Sequence, residues 1–415
     1  MTTSRTDPPA DKGGALRVAH LGDLHLTSGP RFADTTRVLD WIVEDGRSHE
    51  VDLWLVGGDL TGTHDVPHVA TIEERGYLAG LFQRMAHTAP VLVLYGNHDV
   101  ASDIALYRRM KGPHPIEVAV HPGQWNFAGA MIYALPFPFI GNMVNVPVGS
   151  TTTVRADNEA ASDVVRGLLL EWRDEYGLNL NSKPSILFGH LTVRGARTSG
   201  DEILAGQEVE LTAEDVDTFP AHYVALSHIH LHQQVAEKAW YAGSPTAQTF
   251  GEPDEKGYVI ADVCFEENPR VYRRPTPARR MVTVDATWVQ VGGRWQWLGN
   301  PEDEIAGLPE GAEVRIRVKL PEDAATTCPV DELAAKYAAA GFHVAKPERR
   351  IVPTVRVRSE QISAATSNAD KLLAYWASVD LAPRDEQQAR CLSKLVDLER
   401  EIAGDTKSHG TEAAA

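Results

Sequence analysis

Five short motifs constrain this chain more than any other feature: Asp23-Leu24-His25, Gly58-Asp59, Gly96-Asn97-His98-Asp99, Gly189-His190 and His228-Ile229-His230. Each follows an apolar run that reads as a buried strand: Leu16–Leu21, Val51–Val56, Pro90–Leu94, Ser185–Phe188 and Tyr223–Leu226. In open α/β sheets the carboxyl ends of strands gather at one edge, where ligands bind. The pattern therefore predicts that Asp, Asn and His side chains from distant parts of the chain converge there. Taken singly the motifs carry little, since Gly-Asp and Gly-His are common turn chemistry. Asp23-Leu24-His25 alone fits a helix cap with a surface histidine, and Gly96-Asn97-His98-Asp99 alone fits a polar turn. Five of them, in this order and each behind an apolar strand, point to one site.

The spacing also predicts helices over Arg31–Ser48, with Val38, Leu39, Ile42 and Val43 as its stripe, and near Val69–His87. Alternation of strand and helix is the βαβ pattern of an α/β core. Short strands are expected within Ile116–Leu135 and a Pro/Gly/Asn-rich loop over Pro136–Ser150. A helix is expected over Ala156–Tyr176, capped by Asp157 or Asn158, and strands over Gly257–Phe265 and Arg270–Arg273. Composition shifts near Pro275-Thr276-Pro277. Beyond it the reading is strands at Met281–Val284, Val289–Val291, Val314–Val318 and near Ile351–Val357, a helix at Val330–Ala340, and a helical tail from about Ala369 to Ile402. That region holds no Asp/His pair with ligand spacing. The expected division is a tail over 1–15, the motif-bearing domain over 16–275, a capping domain over 276–365, a helical segment over 366–403 and a second tail over 404–415.

A length of 415 residues fits two or three domains. The net charge of −17 argues against a uniformly basic surface, so a nucleic-acid partner would need a local basic patch or bound cations. Cys264, Cys328 and Cys391 form neither a disulfide framework nor a zinc cluster and suit a reducing compartment. Met1 to Gly14 lacks an apolar signal core, and no apolar run is long enough for a bilayer. The cytoplasm is the expected location.

The chemistry follows from the residue types. Two divalent cations about 3.5–4 Å apart require several hard or borderline ligands and a bridging carboxylate. Asp59 is the best bridge, because it follows a central strand and the Gly57-Gly58 pair, which lets the backbone turn close to the metals. Asp23 and His25, two residues apart, can face one cation just past a strand end, and His228 and His230 share that spacing. Asn97 and His190 complete the set as neutral ligands. Cations held this way activate a water for in-line attack on phosphorus and neutralise its oxygens. The leaving alkoxide needs a proton or a positive partner, a role assigned to His98, with Asp99 orienting its ring. His20, His49, His68, His87, His114, His121, His222, His343 and His409 read as core or surface. His64 is intermediate, and His232 flanks the site.

The pattern D-x-H, GD, GNHD/E, GH and GHxH resembles the calcineurin-like metallophosphoesterase superfamily, with Ser227 where glycine is usual. Two further segments narrow the resemblance. His190-Leu191-Thr192-Val193-Arg194-Gly195-Ala196, followed by Ser199-Gly200-Asp201-Glu202, is similar to a loop of the SbcD-type DNA repair nucleases. Tyr241-Ala242-Gly243-Ser244-Pro245, with Phe250-Gly251-Glu252 and Asp254-Glu255-Lys256-Gly257, resembles their Y-x-G-S-P…F-x-E-x-x-E-K-G segment. The resemblance covers about Leu16 to Pro275. It implies an α/β fold, a four-layer αββα sandwich, with a small C-terminal α/β capping domain and a helical tail gripping the coiled coil of an SbcC-type ATPase. It implies a manganese-dependent nuclease acting on DNA ends in double-strand-break repair or recombination, as 3′-to-5′ exonuclease and as endonuclease on single strands or hairpins. Asp23, His25, Asp59 and His230 would hold one metal, and Asp59, Asn97, His190 and His228 the other. His98 would be the catalytic histidine. A homodimer through the helices between Arg31 and Tyr107 is also implied. The chain departs from the family at Leu60-Thr61-Gly62-Thr63-His64-Asp65, a loop that contacts nucleotide in relatives.

Candidate DNA contacts are His64, Arg194 and Arg197, and the group Arg270, Arg273, Arg274, Arg279 and Arg280 at the domain junction; Arg349 and Arg350 form a further basic pair. Leu392, Leu395, Val396, Leu398 and Ile402 form a stripe that could dock on a partner. The competing readings are a phosphodiesterase for nucleotides or other small phosphodiesters, and a scaffold that binds DNA ends without catalysis.

Overall fold

The computed structural model describes residues 7–62, 68–138, 154–178, 183–199, 208–352, 362, 364–377 and 385–408. His64, His409, most of the expected 136–150 loop and the segment from Gly200 to Gln207 lie outside them. The chain divides into two compact units. One comprises Met1–Ala286, Trp297–Val318 and Pro329–Glu348; the other comprises Thr287–Gln296, Lys319–Cys328 and Arg349–Ala415.

The first unit opens with β1 (Leu16–Leu21), α1 (Phe32–Ser48), β2 (Leu53–Val56), α2 (Ile72–Ala86), β3 (Val91–Leu94), the short α3 (Ala101–Ile104) and β4 (Ile116–Ala119). Next come β5 (Gly123–Phe127), β6 (Ala130–Leu135), α4 (Val154–Leu178), β7 (Ser185–His190), β8 (Thr192–Val193), β9 (Glu210–Leu211), α5 (Ala213–Thr218) and β10 (Tyr223–Ser227). β11 (Gln233–Gln234), β12 (Ala239–Tyr241), β13 (Gly257–Val263) and β14 (Arg270–Pro275) complete two six-stranded mixed sheets. Their orders are β14-β13-β1-β2-β3-β4 and β11-β12-β10-β7-β6-β5. β1 to β4 run parallel, as do β6, β7, β10 and β12, so the motif-bearing strands β1, β2 and β3 end at one edge and β7 and β10 at another.

The two-residue period of a strand sorts its side chains between two cores. In the first sheet Leu16, Val18, Leu53, Leu55, Leu92 and Leu94 join Ile132, Ile186, Phe188, Tyr223 and Ala225 of the second in one cluster. The alternate residues Ala19, Leu21, Trp54, Val56, Val91 and Val93 pack on Val38, Leu39 and Ile42 of α1 and Leu78, Leu81 and Phe82 of α2. On the second sheet Tyr133, Leu187, Val224 and Leu226 pack with Ala161, Val165, Leu169 and Trp172 of α4. Burial on both faces explains why these strands read as unbroken apolar runs.

Some expectations are corrected. α4 starts at Val154, so Asp157 and Asn158 lie within it and not at its start; buried Asn158 offers its backbone oxygen to the Ser162 hydroxyl, which takes the Glu210 amide. Met281–Val284 and Val289–Val291 are one strand, β15 (Met281–Val291). The later elements are β16 (Arg294–Trp297), β17 (Glu313–Pro321), α6 (Val330–Ala339), β18 (His343–Val344) and β19 (Glu348–Val352), with β15 to β18 in a sheet of order β16-β15-β17-β18. Two helices follow, α7 (Asn368–Ala377) and α8 (Asp385–Ser408).

β1 is tied to β13 by a buried ion pair. The Arg17 guanidinium donates to Asp262 at 2.7 and 3.0 Å, with both side chains essentially excluded from solvent. Breaking such a pair from one side strands the other charge. Arg17→Met is expected to cost about 3–5 kcal/mol of stability, read by urea titration; a loss below about 1 kcal/mol, the usual worth of an exposed pair, would show that it is not a structural tie.

Candidate metal centre

The turn after β1 brings Asp23 and His25 forward, the turn after β2 brings Asp59, and the turn after β3 brings Asn97 and His98. β7 ends on His190 itself, and His228 and His230 follow β10. Asp23, His25, Asp59 and His228 all adopt left-handed backbone, with φ of 54°, 43°, 49° and 98°. Non-glycine residues seldom accept that conformation, and clusters of it mark functional sites. Two glycines make the close approach possible. Gly58 has φ of 89°, and a Cβ there would lie 2.7 Å from the Gly96 amide and 2.9 Å from His190 Nδ1. The Ser227 side chain lies against Gly22 and Gly57, whose missing side chains leave room for it. A serine is thus accommodated where the superfamily usually has glycine.

Two groups with metal-binding geometry result: Asp23, His25 and His230, and Asp59, His190 and His228. His25 Nε2 and His230 Nε2 face each other at 3.1 Å in the first. In the second, Asn97 Oδ1 lies 3.0 Å from both His190 Nε2 and His228 Nδ1. Asp59 Oδ2 lies 3.5 Å from His190 Nε2 and 3.8 Å from His25 Nε2, between the groups. His228 and His230, though two residues apart, therefore point into different groups.

The remaining nitrogen of each of the four histidines in these groups is held. His190 Nδ1 meets the Gly57 carbonyl at 2.5 Å and His25 Nδ1 the Gly62 carbonyl at 3.2 Å. His228 Nε2 meets Glu208 at 2.7 Å and His230 Nδ1 meets Glu252 at 3.1 Å. Partners of this kind fix the tautomer and ring orientation of a ligating histidine and make it more basic. Glu252 is itself gripped by Lys256 at 2.7 Å. Neither Glu208 nor Glu252 is expected at the site from the motifs. Glu252 stands in the Tyr241–Gly257 segment, but Glu208 lies in a loop with no pattern that could mark it.

The charge balance suits cations. Burial works against ionisation of Asp59, yet His190, His25 and His98 hold its carboxylate far below the usual range. Burial likewise opposes charge on His190, and the Asp59 carboxylate nevertheless pushes it up to about 9. His230 is also raised against burial, by Glu252 and Asp23. Burial drives Asp23 upward, opposed by His190 and His230. These groups share protons at positions where imidazole nitrogens and carboxylate oxygens would hold two divalent cations, so the residues present fit a dinuclear centre.

His98 lies beside this centre. Its Nε2 is 3.9 Å from Asp59 Oδ2, its amide donates to Asp59 Oδ1 at 2.9 Å, and its ring is 5.2 Å from that of His25. The expected role of Asp99 is corrected. Its buried carboxylate accepts from the amides of Leu60, Gly96 and Thr61 at 2.8, 3.0 and 3.4 Å, which ties the turn after β2 to the turn after β3. His98 Nδ1 has no hydrogen-bond partner among the described residues. Burial and the Asp59 charge push the Asp99 carboxyl up to about 7.

His232 turns away to the Tyr241 carbonyl at 2.9 Å and stacks on Trp240. Arg194 pairs with Glu210 at 3.1 Å, and the backbone of Arg197 bonds Gln233. The arginines from 270 to 280 are engaged within the chain. Arg274 binds Asp45 at 2.7 Å, Arg279 binds Asp34 at 2.9 Å, Arg273 binds Glu255, Arg270 reaches the Lys12 carbonyl at 3.1 Å and Arg280 the Pro253 carbonyl at 3.1 Å.

Comparison with known proteins accords with this geometry. Residues 16–232, a little over half of the chain, match the family model described as calcineurin-like phosphoesterase, and the chain belongs to that family. It is a metallophosphoesterase, a phosphoester hydrolase with a dinuclear type of Asp/His site. It is 28% identical over 260 residues to the SbcD component of the nuclease SbcCD of Escherichia coli (strain K12), covering 59% of this chain and 64% of that one. The SbcD component of the same nuclease in Staphylococcus epidermidis is 23% identical over 277 residues, covering 60% of this chain and 66% of its own. The matches thus span about two thirds of these relatives. A dimetal phosphatase from Danio rerio aligns at 11% identity with a TM-score of 0.39, over 63% of this chain and 96% of its own, too loosely to add to the argument.

Two outcomes are expected. Glu208→Gln and Glu252→Gln should each weaken Mn2+ binding about 10–100-fold by calorimetric titration; unchanged affinity would exclude a supporting role. Protons on His190 and His230 compete with metal, so apparent affinity should climb with pH and level off near pH 9. The sign is opposite for the metal-free protein. There the stabilising His190–Asp59 pair is fully present below about pH 6.5 and lost as pH rises through about 9.

Proposed function

We propose that this protein is a manganese-dependent DNA nuclease that processes DNA ends in double-strand-break repair or recombination in the cytoplasm, as a 3′-to-5′ exonuclease and as an endonuclease on single strands or hairpins. The two sheets and their covering helices are read as a four-layer αββα frame. The observation that carries the proposal is the similarity to the SbcD component of nuclease SbcCD, which extends over 260 residues, beyond the family match, on a chain with both metal-binding groups. The Tyr241–Gly257 segment supports it through the site itself. The Tyr241 hydroxyl takes the Val193 amide and donates to the Leu191 carbonyl, each at 2.8 Å, steadying the turn after His190, and Glu252 holds His230.

In this mechanism Asp23, His25, Asp59 and His230 would hold one cation and Asp59, Asn97, His190 and His228 the other. Bound cations supply Lewis acidity and an activated water for in-line displacement at phosphorus. Asp59, whose Oδ2 lies near both His190 and His25, would offer its negative charge to both. His98 donates a proton toward the leaving oxygen, and Asp99 holds the two turns that position Asp59 and Asn97. Exposed Arg194, Arg197 and Arg280 contact phosphates, with bound cations offsetting the chain's acidity. Arg274 and Arg279 serve the fold first, through Asp45 and Asp34.

Two surfaces fit the expected partners. Residues 276–365 are proposed as a capping domain and 366–403 as a helical segment that docks on the coiled coil of an SbcC-type ATPase. Leu373, Tyr375, Val396 and Leu398 of α7 and α8 are exposed, as such docking needs. Val69, Ile72 and Leu106 are exposed in the stretch proposed for a homodimer. Among the described residues no helix is long and apolar enough to cross a membrane.

The test is degradation of end-labelled linear duplex DNA with Mn2+. The protein should shorten the duplex, and His98→Ala should be slower by about 10²–10⁴-fold, the usual worth of a general acid. Hydrolysis of a small phosphodiester with DNA left intact, even with an SbcC-type ATPase present, would overturn the nuclease reading.

A further inference from the structure

Beside the second metal-binding group lies a cleft of about 450 Å³ that the mechanism does not use. Tyr95, Pro136, Phe137, Pro138 and Leu168 give it aromatic and apolar lining, with Gly167 of α4 also at its edge. Phe137 belongs both to this wall and to the surroundings of the metal centre. Its ring centroid is 5.5 Å from that of His228 and 6.0 Å from that of His190. Tyr95 immediately precedes Gly96-Asn97, and its carbonyl accepts the Phe137 amide at 2.9 Å. The cleft wall is thus joined to the metal-binding edge at Tyr95 and Phe137.

The lining excludes some occupants. None of the described residues around the cleft is Lys or Arg, and the titratable side chains besides Tyr95 are His121 and Glu171, a lining that does not favour a second phosphate. Its volume falls within the usual range for a small-molecule pocket, about 300–1,000 Å³. A phosphate at the metal-binding groups must carry its substituent somewhere, and the adjoining lining is largely aromatic and apolar. A nucleobase has that chemistry, and every base offers a π-face whatever its identity.

We propose that this cleft is a base subsite: the unpaired base of the nucleotide whose phosphate lies on the metals stacks against Phe137 and Tyr95. The inference rests on the phosphodiesterase reading of the centre and specifies its substrate as a nucleotide ester. It also predicts tolerance of all four bases, since stacking reads no sequence.

Gly167 permits a clean test, because a Cβ there meets nothing within 4 Å and its backbone is ordinary helix. Gly167→Phe fills the cleft without touching a metal-binding residue. The full chain, loaded with Mn2+, is assayed on the p-nitrophenyl ester of thymidine 5′-monophosphate and on methyl p-nitrophenyl phosphate, which has no base. The unaltered protein should prefer the thymidine ester, and Gly167→Phe should cut that preference in kcat/KM on the order of tenfold, mainly through KM. Binding of thymidine monophosphate by calorimetry should weaken by a similar factor. Phe137→Leu, which keeps apolar bulk but removes the ring, should lower the preference as well. No preference in the unaltered protein, or a preference that survives Gly167→Phe, would overturn the subsite. The larger reading is separable. Base preference without DNA cleavage keeps the cleft and rejects the nuclease, whereas DNA cleavage with the preference unmoved in Gly167→Phe does the reverse.

Discussion

A carboxylate buried as deeply as that of Asp59 loses its hydration, a cost of several kcal/mol unless positive charge replaces it. The surrounding fold supplies that charge. His25 and His98, from the turns after β1 and β3, and His190, at the end of β7, face its Oδ2, and the His98 amide donates to its Oδ1. None of these groups comes from the strand that carries Asp59. The site therefore exists only when both sheets are assembled, and the left-handed backbone at Asp23, His25, Asp59 and His228 is strain that the packed strands must hold. Divalent cations relieve the same imbalance with more charge than shared protons provide.

The constraint explains the small residues around the centre. Gly58 and Gly96 let the turns after β2 and β3 touch, and Gly22 and Gly57 clear space for Ser227. Asp99 completes the arrangement by taking amides from both turns. Its position beside His98 in sequence suggests a ring partner, but the turn sends the two side chains different ways.

What is legible in the sequence follows from period and spacing. The core strands of both sheets are buried on both faces, so they read as apolar runs, and their last residues mark the edge where ligands gather. α1 and α2 carry plain stripes. The start of α4 is misplaced from sequence because Asp157 and Asn158 look like caps, whereas the helix runs through them from Val154. The short strands β8, β9, β11 and β12 have too few residues to show a period. Glu208 and Glu252 escape notice because a supporting carboxylate is defined by the ring it meets, here His228 and His230, and not by spacing. The arginine cluster from 270 to 280 looks like surplus positive charge, but Asp45, Asp34 and Glu255, distant or unremarkable in sequence, engage much of it.

We propose that Asp59 bridges two metal ions held by the two groups. The decisive measurement is anomalous diffraction at the manganese edge, from crystals of the full chain soaked in Mn2+. Two peaks about 3.5–4 Å apart are expected, one beside Asp23, His25 and His230, the other beside Asn97, His190 and His228, with Asp59 between them. A single peak, or two peaks with Asp59 bound to only one, would contradict it.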